Sequence, residues 1–357
     1  MLIIDGHLDL AWNALQWNRD ITLSADTLRV QEAGIPGKGR ARNTVAFPEM
    51  RKGRVALSFA TLLSRSTGNA IPHIDYASWQ QAQAIGRGQM AYYRAVERDG
   101  HLRVITHRAG LDAHMAEWAQ WEQDTTAAQP PLGMVISMES ADPIRDPEEL
   151  AEWHALGVRL IGPAHYGMGR YAGGTSVEDG LTDLGLRLLD EMMRLEIILD
   201  MTHLSDRSFW QALDRYAGVV IASHNNCRAL VPHQRQFDDD QLRAIIGRGG
   251  VIGAAFDTWM LEPGWIKEVS TNANVTLATV VDHIDHVCQL AGNADHAAIG
   301  SDLDGGYGTE QTPRDLETIA DLHKIAAILR RRGYAEDDVA KVMHGNWVRF
   351  FRDAWKK

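Results

Sequence analysis

Residues 1–10 read MLIIDGHLDL: a short apolar run, Leu2 to Ile4, delivers His7 and Asp9 just beyond its carboxyl end. Apolar runs of this kind, bounded by turn signals, read as buried parallel strands. Alternation along an extended segment puts His7 and Asp9 on the same side, where an imidazole nitrogen and a carboxylate oxygen can reach one cation of the zinc type. Alone, such a pair is weak evidence, because many histidines beside an aspartate are only hydrogen-bonded. What decides the fold is that the arrangement recurs.

Seven further runs follow: Val55 to Leu62, Leu132 to Met138, Val158 to Ile161, Ile197 to Asp200, Val219 to Ala222, Val251 to Ala255 and Ala297 to Gly300. Together they make the eight strands that a closed barrel needs. Helical periodicity fills most of the gaps, as in Glu178 to Leu195 with its Leu181, Leu184, Leu188, Leu189 and Met192. A further helix starts at Ser205 or Asp206, either of which can cap it. Alternating strands and helices predict a (β/α)8 TIM barrel of the metal-dependent hydrolase type, in which every strand opens onto one face. Metal-type or acidic residues follow six of the eight runs: His7 and Asp9, Glu139, His165, His203, His224 and Asp302. Chance placement would seldom give this.

The chain reads as one domain over residues 1–357, with an elaborated helical crossover at about 64–131 whose patterns, Asp75 to Asp99 and Gly110 to Asp124, carry the packing tryptophans Trp79, Trp118 and Trp121. The glycine-rich segment Gly34 to Arg42 is expected as a loop over the barrel mouth. With 36 Lys and Arg against 47 Asp and Glu, net charge −11, there is no basic cluster suited to phosphates, so nucleic acid is excluded as a partner. Two cysteines, Cys227 and Cys288, make no disulfide framework and fit a reducing cytoplasm. The N-terminus lacks the features of a signal peptide, and no window suits a spanning helix, so a cytoplasmic protein without a membrane partner is expected.

The constellation has a chemistry. Glu139 can bridge two cations with one oxygen on each, leaving His7 and Asp9 on one ion and His203 and His224 on the other; paired cations lower the pKa of bound water towards about 7. Asp302 lies nearest the eighth strand end and can pass a proton to a leaving amine. Asp304 points the same way in an extended segment, so the shuttle is one of these two. His165 is left to donate a hydrogen bond to a substrate carbonyl. Arg235 suits bidentate capture of a substrate carboxylate. His101, His107, His114, His283, His286 and His323 fall in helical or connecting segments and read as surface or satisfied core residues.

The stretches DGHLDL, GLTDLG at 180–185, LDMTHLSD, ASHNNCRAL with Arg235 beyond, IGSDLDGG and HGNWVRFF resemble, in order and spacing, the membrane dipeptidase (renal dipeptidase) family of zinc peptidases. The resemblance spans nearly the whole chain. It implies two Zn2+ per chain, one on His7, Asp9 and Glu139 and one on Glu139, His203 and His224, other divalent first-row metals being accepted by the same ligands. It also implies Asp302 as the proton carrier, His165 on the scissile carbonyl, Arg235 on the C-terminal carboxylate of a dipeptide that accepts a D-residue there, and a homodimer. The chain departs from the family pattern at Ser137 and Ser140, where glycine is usual, and in Tyr166 to Tyr171, which lacks the asparagine often seen there. A related amidohydrolase acting on N-acyl amino acids or lactones is the alternative, and a silent binding protein would have lost ligands that this chain keeps.

Overall fold

The computed structural model describes residues 1–267 and 269–355. Its strands are β1 (Ile3–Leu8), β2 (Val55–Leu63), β3 (Leu102–Val104), β4 (Leu132–Glu139), β5 (Val158–Gly162), β6 (Ile198–Asp200), β7 (Val220–Ile221), β8 (Ile252–Ala254) and β9 (Ala297–Ile299). No residue of β1, β2 or β4 reaches solvent appreciably, which is why these strands read as near-continuous apolar runs and not as alternating ones. Hydrogen-bonded neighbours run β7-β6-β5-β4-β2-β1-β9-β8, every pair parallel. An isolated bridge, Ala222 to Ile252, brings β7 to β8 and closes the (β/α)8 barrel.

The closing seam is reinforced by a side chain. Asn226 Oδ1 accepts from Ala255 N at 3.0 Å, and its Nδ2 donates to Ala255 O at 3.0 Å and to Met260 O at 3.3 Å. The amide thus pairs with the chain beyond β8 as a further strand residue would.

Each expected strand is present; β3 was not expected. Three residues are too few to show a period, and β3 pairs with only the first residues of β4, Leu102 opposite Leu132, before β5 joins β4 at Val158 opposite Ile136. The helices on either side of it, Trp79–Arg98 and Arg108–Gln123, start where Ser78 caps the first and where His107 is extended before the second. The helix expected from Glu178 begins at Asp183 instead, because Thr182 accepts from Gly185 N and residues before it are held in a loop by the Ala172 to Leu181 bridge. Ser205, not Asp206, caps the helix Asp206–Arg215 by accepting from Ser208 N. Trp118 and Trp121 spend their indole N–H groups on Pro131 O and Ala127 O, as packing residues do.

HGNWVRFF begins at the end of a π-helical turn, Lys341–Gly345, and continues into the helix Asn346–Ala354. Asn346 donates to Ala294 O and Ala297 O, and Trp347 donates to Ile299 O at 3.0 Å while standing edge-on to Phe59. A Cβ on Gly6 would lie 2.8 Å from the Trp347 ring, so Trp347 braces β1, β2 and β9 at the residue before His7. The segment 34–42 is a loop, as expected. It is fastened beside the mouth, Gly39 between Arg19 and Glu310, and supplies none of the residues that line the cavity. Among the described residues no helix is long and apolar enough to cross a membrane.

Candidate metal centre and active site

The strand ends deliver the expected residues to one place. His7 is the last residue but one of β1 and Asp9 follows the strand, Glu139 ends β4, and His165, His203, His224 and Asp302 follow β5, β6, β7 and β9. His203 and Asp302 take left-handed backbone, φ +68° and +57°, which folds each side chain back over the mouth immediately after its strand. Ser140, where glycine is usual in the family it resembles, keeps φ +73° all the same.

The two oxygens of Glu139 face different partners. Oε2 lies 3.6 Å from His7 Nε2, while Oε1 lies 3.1 Å from His203 Nε2 and 3.3 Å from His224 Nε2. His7 Nε2 is also 3.7 Å from Asp9 Oδ2 and 3.8 Å from Asp302 Oδ1. Three clusters of potential ligand atoms result: His7, Asp9 and Glu139; Glu139, His203 and His224; and His7, His224 and Asp302.

Two observations test whether these residues fit metal ions. His7 Nε2 and Asp9 Oδ1 are buried and bonded to nothing, an arrangement that costs free energy unless something charged completes it. The spacing suits ligands: two donors each about 2.1 Å from a tetrahedral ion stand roughly 3.4 Å apart. Each imidazole meanwhile turns its other nitrogen to a hydroxyl: His203 Nδ1 to Thr175 at 2.9 Å, His224 Nδ1 to Ser223 at 2.9 Å and His7 Nδ1 to Thr61 at 3.4 Å. Such partners orient a ligand ring with Nε2 free. Ser137 continues one of these chains, its hydroxyl 3.1 Å from that of Thr61. The residues fit divalent cations.

Electrostatics agree. Burial would push His7 down, but the carboxylates of Glu139, Asp9 and Asp302 carry it up to about 10. Burial raises Glu139 to about 7 against the pull of His7, and holds Asp302 well above the usual carboxylate range, with Asp9 and Glu139 adding to it. His165, His203 and His224 are held well below the ordinary imidazole value by burial and by nearby cationic groups, Arg235 among them. Three imidazoles disfavoured as cations, beside carboxylates crowded together, leave their nitrogens free to act as ligands.

A cavity of about 650 Å³, ordinary for a small-molecule site, opens above this centre and is lined by Asp9, Glu139, His165, His203, Arg235 and Asp302 among others. Arg235 is 2% exposed, with Nη1 donating to Asn225 Oδ1 and Nη2 to His224 O, while its Nε has no partner. Asp304 is elsewhere engaged: it accepts from Thr44 N and Oγ1 and from Val45 N, and pairs with Arg19.

The two strands without an expected site residue also contribute. Arg65 lies just past β2 and Asp257 just past β8, and both line the cavity with Trp12, Tyr166 and Trp259. The strand-end rule would have found them. An arginine or an aspartate in a loop is ordinarily solvated, which is why neither stands out in the sequence.

Sequence and structure comparisons converge on the same family. The family model for membrane dipeptidases, peptidase family M19, matches residues 1–356. An uncharacterised protein in the pqqA 5' region of Klebsiella pneumoniae is 32% identical over 267 residues, covering 71% of this chain and 93% of that protein. Dipeptidase tcpJ of Claviceps purpurea is 32% identical over 56% of this chain and 46% of its own length. The solved structure of dipeptidase AC, an M19 metallopeptidase, superposes with a TM-score of 0.79 at 25% identity over 100% of this chain and 99% of that one. A metallopeptidase from Rhodobacter sphaeroides, liganded with a phosphinate mimic of the dipeptide L-Ala-D-Ala, does so with a TM-score of 0.75 at 25% identity over 99% of each. With a barrel whose strand ends gather metal-type side chains under one cavity, the chain belongs to the membrane dipeptidase family and is a metal-dependent dipeptidase of peptidase family M19.

Proposed function

We propose that this protein hydrolyses dipeptides, accepting a D-residue at the C-terminal position, with two divalent cations held by His7, Asp9, Glu139, His203 and His224. Zinc suits this nitrogen and oxygen donor set. The observation that carries the reading is the division of Glu139, one oxygen towards His7 and the other towards His203 and His224. When bound, the cations supply Lewis-acid polarisation of the carbonyl and activation of water.

The protein's own groups do the rest. Arg235, fixed by Asn225 and the His224 carbonyl, still has unspent donors and takes the C-terminal carboxylate of the substrate. His165 hydrogen-bonds the scissile carbonyl oxygen as negative charge develops there. Asp302, whose burial raises its affinity for a proton, takes, as the carboxylate, the proton of the attacking water and hands it to the leaving nitrogen. Asp304 is held by Thr44, Val45 and Arg19 and is assigned a structural part. The D-residue preference draws support from the ligand of the Rhodobacter sphaeroides relative.

The test is elemental analysis of the purified protein together with hydrolysis of L,L and L,D dipeptides, N-acyl amino acids and lactones. Two equivalents of metal and turnover of L,D dipeptides are expected, lost on chelation. Asp302→Asn is expected to lower kcat by about 100-fold or more with metal content retained. Turnover of acyl amino acids or lactones in preference to dipeptides would overturn the substrate, and loss of metal in Asp302→Asn would make Asp302 a ligand.

A further inference from the structure

Arg65 has no part in the chemistry described so far, yet it is built in firmly. Its backbone is pinned across the loop, Arg65 N to Ile74 O at 3.1 Å and Tyr76 N to Arg65 O at 2.8 Å. Its side chain is 8% exposed and donates through Nε to Asp75 Oδ2 at 2.9 Å. Asp75 is itself fully buried and accepts from Thr67 N at 2.9 Å and Thr67 Oγ1 at 2.6 Å. The guanidinium then meets His165, Nη1 to Nδ1 at 2.8 Å.

That contact has one possible direction. A guanidinium has no acceptor, so Nδ1 of His165 must accept and carry no proton, and the neutral ring bears its proton on Nε2. Among the described residues Nε2 has no hydrogen-bond partner; it lies 3.9 Å from Glu139 Oε1, on the side of the ligand cluster where a substrate carbonyl would sit. The rings of Tyr166 and His203 stand edge-on to it at 4.9 and 4.4 Å between centroids and limit its rotation.

We propose that Arg65, anchored by Asp75, is a positioning residue that fixes the tautomer and orientation of His165 so that Nε2–H is presented to the scissile carbonyl. The proposal rests on the reading of His165 given above. Without Arg65 the ring divides between two tautomers and two orientations, only one of which aims a donor at the oxyanion.

A double-mutant cycle on the zinc-loaded enzyme, with the dipeptide turned over best, tests it. Arg65→Ala is expected to lower kcat by about 10–100-fold, the range seen when a partner that orients a working histidine is removed, with KM and metal content near the parent. In a His165→Ala background the same change is expected to cost less than about twofold, since coupled residues are non-additive. If Arg65→Ala fails to hold metal, Arg65→Gln, which keeps an amide donor, takes its place in the cycle. In holoenzyme labelled with ¹⁵N-histidine, the signal lost in His165→Ala is expected to show Nε2 protonated and Nδ1 bare. An equal loss in both backgrounds, an effect confined to KM, or a protonated Nδ1 would overturn the role of Arg65. Full activity in His165→Ala would instead overturn the reading of His165 itself.

Discussion

Asp302 sits against Gly305, and the contact is close enough to explain the glycine. A Cβ on Gly305 would lie 2.1 Å from Asp302 Oδ1, so the carboxylate occupies the space that any side chain would need. With Asp302 as the proposed proton carrier, Gly305→Ala is expected to displace it and lower kcat by about 10–100-fold, as a shift of roughly 1 Å in a reacting group does. Steady-state kinetics with parallel metal analysis check this, and an unchanged kcat counts against it. At this scale the sequence reveals the residues whose type is unusual for a loop. His7, Asp9, Glu139, His165, His203, His224 and Asp302 stand out because each follows an apolar run. Arg65 and Asp257 occupy equivalent places but look like solvated loop charges, and the choice between Asp302 and Asp304 turns on contacts with Thr44, Val45 and Arg19 that are far away in sequence.

Among elements, the pairing of β7 with β8, a single isolated bridge, is reinforced by the Asn226 amide. Asn226→Ala leaves Ala255 N and Ala255 O without their partner, while Met260 O keeps Gln236 Nε2, and is expected to cost about 3 kcal/mol, since unmet buried groups carry their full desolvation penalty. Urea unfolding checks it, and a change below about 1 kcal/mol would mean that the seam holds without the amide. Eight barrel strands are legible because parallel strands covered on both faces read as plain apolar runs. β3 is not, because three residues have no period, and the true start of the helix Asp183–Arg194 is hidden because its boundary depends on the Thr182 cap and a tertiary bridge. The fastening of the segment 34–42 to Arg19 and Glu310 is likewise set by long-range contacts.

For the whole molecule, His283 is one source of sensitivity to acid away from the candidate site. His283, on the helix Leu277–Ala291, is 2% exposed and accepts from Cys227 N, and burial, with a smaller effect of His286, pushes it down to about 3. An unfolded chain would titrate it near 6.5. Between these values the unfolded state binds a proton that the folded state refuses, so the contribution is complete above about pH 6.5 and is lost as pH falls towards about 3. His283→Gln keeps an acceptor for Cys227 N but does not titrate. From pH 7.5 to 4.5 the parent is expected to lose about 2 kcal/mol more than this variant in urea unfolding, and parallel pH profiles would refute it.

The brace formed by Trp347 bears on how the protein comes into being. Translation exposes His7, Asp9, Glu139, His203 and His224 well before the residue that presses on Gly6 and holds Ile299 is made. A nascent chain therefore carries every proposed ligand while the wall behind the first of them lacks the Trp347 contact. With the ligands proposed above, a ribosome-bound fragment ending before Trp347 is expected to hold metal more weakly than the full chain.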